Sequence, residues 1–173
     1  TRLPAAIAIS MSALCGAALG WWQSGVLNWL ALVYMLGGVL AMTVGFNLLG
    51  DYFDFRSSDD AEPHLGPEPY FSGYSFLLHG VITPKAIRLI ALVLLFLSFL
   101  CCLLLGWLVG WPMLFFAGLI YLLWFSYMMP PVKYAFRGWG SGELGVLLSA
   151  GLLVTMGYYS QAGSISWLPV WTA

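Results

Sequence analysis

The run Trp29-Leu-Ala-Leu-Val-Tyr-Met-Leu-Gly-Gly-Val-Leu-Ala-Met-Thr-Val-Gly-Phe-Asn47-Leu-Leu-Gly50 passes without a break into Asp51-Tyr-Phe-Asp54-Phe-Arg56-Ser-Ser-Asp59-Asp60. The first part is long and apolar enough to cross a bilayer, which takes about 20 such residues. The second part places charge directly at its end. Together they predict a membrane helix that delivers a polar site to one membrane surface.

The rest of the chain agrees with lipid as the solvent. It has 173 residues, 61% hydrophobic and 8% charged, with a mean hydropathy of +0.90. A soluble domain carries about 25% charged residues. The formal net charge is −1. That excludes nucleic acid as a partner, because such binding needs a dense Lys/Arg footprint. Cys15, Cys101 and Cys102 sit in apolar runs without metal-ligand spacing and read as small apolar side chains.

Five spans are predicted, at about 4–22, 29–50, 84–106, 111–129 and 143–160, forming an all-α polytopic transmembrane bundle. Arg2 before an apolar run also fits a signal peptide, but the runs that follow favour a first span. Residues 167–173 read as the opening of a sixth helix. Thr83-Pro84 is a strong helix start, with a hydroxyl cap and Pro at the first helical position.

With five spans the connections alternate sides. Those at 23–28, 106–110 and 160–166 carry no charge, so all six Lys/Arg and all seven Asp/Glu fall on one face. The Lys/Arg bias marks that face as cytoplasmic, and hence an inner, cytoplasmic membrane. Trp21, Trp22, Trp29, Trp107, Trp111 and Trp167 gather at the opposite boundary, as an aromatic belt does. Gly16 and Gly20 form a GxxxG pair, for which close helix packing is the first reading. The connection at 51–82 is an Asp-rich cytoplasmic loop, longer than the about 12–15 residues beyond which a loop is usually functional or disordered.

At about 100° per residue, Asn47, Asp51 and Asp54 fall within about 60° of one another on a helix. An amide and two carboxylates therefore share one face, with Asp60 able to fold back over it. Packed carboxylates repel unless a cation lies between them. Oxygen donors select hard cations, so the reading is Mg²⁺ bridging the protein to a diphosphate. A solvated helix end would also explain any one of these acids. Charge at membrane depth is costly, however, and the combined pattern points to function. In the 127–143 stretch, Lys133 and Arg137 are cations suited to a diphosphate, or ordinary positive-inside anchors. Glu143 opens a span, where its charge also suits a helix N-terminus. His64 and His79 have no partner at metal-ligand spacing.

These two segments together resemble the UbiA superfamily of intramembrane prenyltransferases. Asn47, Asp51 and Asp54 look like its Asn-x-x-x-Asp-x-x-Asp motif, with Asp60 as a trailing acid. Phe71-Ser72-Gly73 and Gly80-Val-Ile-Thr83-Pro84 look like the loop into its third helix. Tyr127, Pro130-Pro131, Lys133, Gly138 and Gly142-Glu143 look like its second loop. The nearest branch resembles the dihydroxynaphthoate polyprenyltransferases of menaquinone synthesis.

The resemblance implies Mg²⁺ held by Asn47, Asp51, Asp54 and Asp60. It implies a polyprenyl diphosphate and an aromatic acceptor bound by Asn47, Ser72, Tyr127, Lys133, Arg137 and Glu143. Asp51, Asp54 and Lys133 would serve the chemistry, and the tail would lie in a membrane-open tunnel. Phe46, Phe53 and Tyr127 are alternative faces for an allylic cation. The family has two similar halves and about nine helices, with a second Asp-rich motif in the latter. No Asp or Glu follows Glu143 here. The chain is therefore expected to be the N-terminal part of such an enzyme, its second Asp-rich half lying on more chain or on a partner chain. The alternative is a non-catalytic membrane subunit of a larger complex. Gly50 stands where the family usually has a second Asn, and His79 where the branch often has an acid.

Overall fold

The computed structural model describes residues 3–57, 76–77, 79–129 and 140–164. Five helices carry the chain: α1 (Leu3–Ser24), α2 (Trp29–Ser57), α3 (Pro84–Leu108), α4 (Pro112–Met128) and α5 (Ser141–Ala162). Among the described residues there is no strand. Four of the five, all but α4, are long and apolar enough to cross a membrane. This is a helical membrane bundle.

One boundary differs markedly from the sequence reading. Helix α2 does not end near Gly50 but continues to Ser57, so Asp51 and Asp54 belong to its last two turns. No proline interrupts Asn47 to Ser57, and Tyr52, Phe53 and Phe55 keep the helix packed after the apolar run has ended. Helix α4 has 17 residues, about 26 Å at about 1.5 Å per residue, against a hydrocarbon core of about 30 Å. It is the shortest of the five helices. The expected sixth helix opening at 167–173 lies outside the described residues.

Helix α3 begins as its sequence demands. Ala86 N–H donates to Thr83 Oγ1 at 3.3 Å, and Pro84 occupies the first helical position. Of the four candidate spans it has the highest mean hydropathy, 3.0, and Leu89, Val93, Phe96 and Leu100 are exposed on its outer side.

Two helix pairs make the most intimate contacts, α1 with α5 and α2 with α3. In the first, small residues bring the two backbones together. A Cβ added at Gly16 would collide with the Val154 carbonyl, one at Gly20 with that of Tyr158, and one at Gly157 with that of Ala13. Lipid tails are as apolar as Leu, so such close packing has to come from van der Waals fit and hydrogen bonds. The far end of this pair is also pinned by polar groups. Gln161 Oε1 accepts from Asn28 N–H at 2.8 Å, and Gln161 Nε2 donates to Asn28 O at 3.3 Å. Asn28 Oδ1 in turn accepts from Ala31 N–H at 3.0 Å and caps α2. The Tyr158 hydroxyl donates to Gln23 Oε1. In the second pair, Ser98 Oγ donates to Gly38 O at 2.7 Å.

The described charges all lie at one end of the bundle: Asp51, Asp54 and Arg56 closing α2, Lys85 and Arg88 opening α3, and Glu143 opening α5. Trp22, Trp29, Trp107 and Trp111 are exposed at the helix ends on the other side.

Gly16→Ala and Gly157→Ala should each lower stability by about 1–3 kcal/mol, the usual range for overpacking. Gly37→Ala has no atom within 4 Å of the new methyl and should be neutral or stabilising. Thermal unfolding in a non-ionic detergent measures the contrast; equal melting temperatures for all three would mean that α1 and α5 do not touch. Gln161→Leu removes the partner of the half-buried Asn28 N–H and should cost about 0.5–1.5 kcal/mol in the same assay.

Candidate active site

The last turns of α2 carry the candidate site. Asn47 is 9% exposed and Asp51 is 2% exposed, while Asp54, nearer the helix end, is half-buried. Because α2 runs on to Ser57, the three share a helical face as their spacing requires. Burying a carboxylate costs free energy unless hydrogen bonds or a cation compensate it. The depth of Asp51 therefore distinguishes it from an acid that merely solvates a helix end.

Farther round α2, an aromatic shelf is built jointly with α4. Phe46 stacks on Trp124 at 6.2 Å between centroids and meets Tyr121 edge-on at 5.7 Å. Trp124 continues to Tyr127 at 6.1 Å. Phe46 lies about 80° round the helix from Asp54, about 100° from Asn47 and about 140° from Asp51. Of the three aromatic candidates, Phe46 is committed to core packing, whereas Phe53 and Tyr127 remain half-buried. Trp124 and Tyr121 were not singled out by sequence. Their spacing, Tyr121, Trp124 and Met128, is that of a core-facing helix stripe, and nothing in it marks the ring contacts with α2.

A small apolar cavity lies at the centre of the bundle between Met35, Met42, Ser98, Tyr121, Leu153 and Met156. At about 20 Å³ it has room for about one water molecule, far less than a polyprenyl chain needs. This cavity is too small to be the expected tunnel for the tail. Its Met walls are unbranched and re-pack readily.

Glu143 sits in the first turn of α5 and is exposed. It does not join Asp51 and Asp54, since among the described residues no three His, Cys, Asp or Glu side chains gather closely enough to hold a metal ion. Asp60, Ser72, Lys133 and Arg137 lie outside the described residues. What remains is a face with two carboxylates and an amide oxygen. Mg²⁺ is commonly held by one or two carboxylates together with substrate phosphates and water, so these donors fit it. Asn47, Asp51 and Asp54 are the residues that would hold it.

The chain matches no family model, no curated protein and no solved structure.

A Mg²⁺ site here has a direct thermal signature. Added at about ten times its dissociation constant, Mg²⁺ should stabilise the protein by about 1.4 kcal/mol. Asp51→Asn and Asp54→Asn should lose most of that gain, while Glu143→Gln should keep it. Melting curves with MgCl₂ and with NaCl of matched ionic strength decide the matter.

Proposed function

We propose that this chain is part of a membrane prenyltransferase that moves a polyprenyl group from its diphosphate to an aromatic acceptor, such as a quinone precursor. The observation that carries the proposal is the buried Asp51, sharing the end of a membrane helix and one helical face with Asn47 and Asp54. In this reading the charged end of the bundle faces the cytoplasm and the membrane is the inner one, following the Lys/Arg bias. The resemblance to the UbiA superfamily, and within it to the menaquinone branch, supports the same assignment.

The chemistry asks for charge neutralisation at a leaving diphosphate and exclusion of water from an allylic cation. The C–O bond of the donor breaks, and diphosphate leaves with the electron pair. A ring carbon of the acceptor then bonds to the allylic carbon, and the ring loses a proton. Bound Mg²⁺ would neutralise the leaving group. Asn47, Asp51 and Asp54 orient the diphosphate end, and Phe53 and Tyr127 offer aromatic faces to the developing cation. Lys133 and Arg137 add positive charge for the diphosphate, and Ser72 and Glu143 complete the expected set of contacts. The Met-lined cavity must widen to admit the tail, or the tail must follow the lipid-facing surface.

A second reading is a non-catalytic membrane subunit of a larger complex. Gly50 favours it, because no side chain stands where the family carries an amide.

Binding of a radiolabelled prenyl diphosphate to the full chain in detergent, with and without Mg²⁺, separates the two. The enzyme reading expects Mg²⁺-dependent binding that Asp51→Ala and Asp54→Ala each weaken by more than about tenfold, or about 1.4 kcal/mol. Equal binding by both variants and the wild type, or none by any of them, would leave the subunit reading in place.

A further inference from the structure

We propose that a groove between α2 and α3, at the charged end of the bundle, binds the phosphate headgroup of an anionic membrane phospholipid. The groove encloses about 580 Å³, within the about 300–1,000 Å³ typical of ligand sites. Arg56 from α2 and Lys85 and Arg88 from α3 line it, and all three are exposed. The Tyr52 hydroxyl accepts from Arg56 Nη1 at 3.4 Å and also meets the Arg88 guanidinium. Two guanidinium groups from different helices are thereby drawn to one point.

The groove has a gradient of polarity that suits a lipid. Lys85, Arg88, Leu89 and Leu92 follow one another at the i, i+3, i+4, i+7 spacing of a single helical stripe. The cations stand at the helix start, and Leu89 and Leu92, 63% and 47% exposed, lead toward the membrane interior. A phosphate among the cations would leave its acyl chains along those leucines. A free phosphate uses only the first half of this surface, whereas a phospholipid uses both. Basic pockets between membrane helices take anionic headgroups in this way.

The groove is separate from the acid face. Arg56 lies about 140° round α2 from Asp51 and about 160° from Asp54. The inference rests on the membrane character of the bundle and not on prenyl transfer. Lys85 and Arg88 also stand near the N-terminal, positive end of α3, where cations are disfavoured and a bound anion is not.

Native mass spectrometry of the full chain from a neutral detergent tests this. Phosphatidylglycerol and phosphatidylcholine with identical acyl chains are titrated separately. The expected result is phosphatidylglycerol binding at least about tenfold tighter than phosphatidylcholine, weakened about fivefold each by Arg56→Gln and Arg88→Gln. Asp54→Ala should leave it unchanged, and millimolar inorganic phosphate should not displace the lipid. Equal affinity for the two lipids, or an Arg56→Gln/Arg88→Gln protein that binds phosphatidylglycerol like the wild type, overturns the proposal. Displacement by inorganic phosphate alone also overturns it, because the site would then recognise a free anion.

Discussion

The arrangement depends on the backbone-to-backbone approach of α1 and α5. These are the first and last described helices, and nothing in chain order obliges them to meet. Gly16, Gly20 and Gly157 remove the side chains that would hold them apart, so each helix packs against the carbonyls of the other. The Gln161–Asn28 pair then ties the end of α5 to the turn between α1 and α2, where Asn28 caps α2. Helix α2 is thus fixed at its uncharged end. Its other end, some 29 residues later, can carry polar groups without needing them for its own placement.

That division separates stability from chemistry along the membrane normal. Ser98 to Gly38 and Tyr121 to Leu95 are polar bonds between helices within the apolar part, and Gln161 to Asn28 lies at the Trp-rich end. The charged end is held mainly by a smaller apolar cluster of Tyr52, Leu77 and Ile87 with Leu49 and Phe53 around it. Side chains packed this way fix α2 against α3, with Asp54 on one side of α2 and Arg56 on the other.

Most of the architecture was legible in sequence because hydropathy and helix length are strong signals in lipid. The GxxxG pair announced close packing, though not its partner, since two glycines permit an approach without naming what approaches. The end of α2 was misplaced because hydropathy falls at Asp51 while the hydrogen-bonded helix does not. The acid face could be read from a 3.6-residue period, since Asn47, Asp51 and Asp54 are close in sequence. The cationic groove could not, because Arg56 and Arg88 meet only after α2 packs on α3. The ring contacts of Trp124 with Phe46 were hidden for the same reason.

The charges at this end are also placed against the helices that carry them. Asp54, and more weakly Asp51, stand near the negative end of the α2 dipole. Lys85, and more weakly Arg88, stand near the positive end of α3, whose first turn holds no acid. Each such placement disfavours its helix by about 0.3–1 kcal/mol, an effect that fades within about a turn. Arg56 in the last turn of α2 follows the dipole and offsets part of this. Local rules broken without a folding gain are expected where a site is built. A cation would relieve the α2 acids and an anion the α3 bases. In the proposed readings, the same membrane surface would take two ligands of opposite sign on opposite faces of one helix.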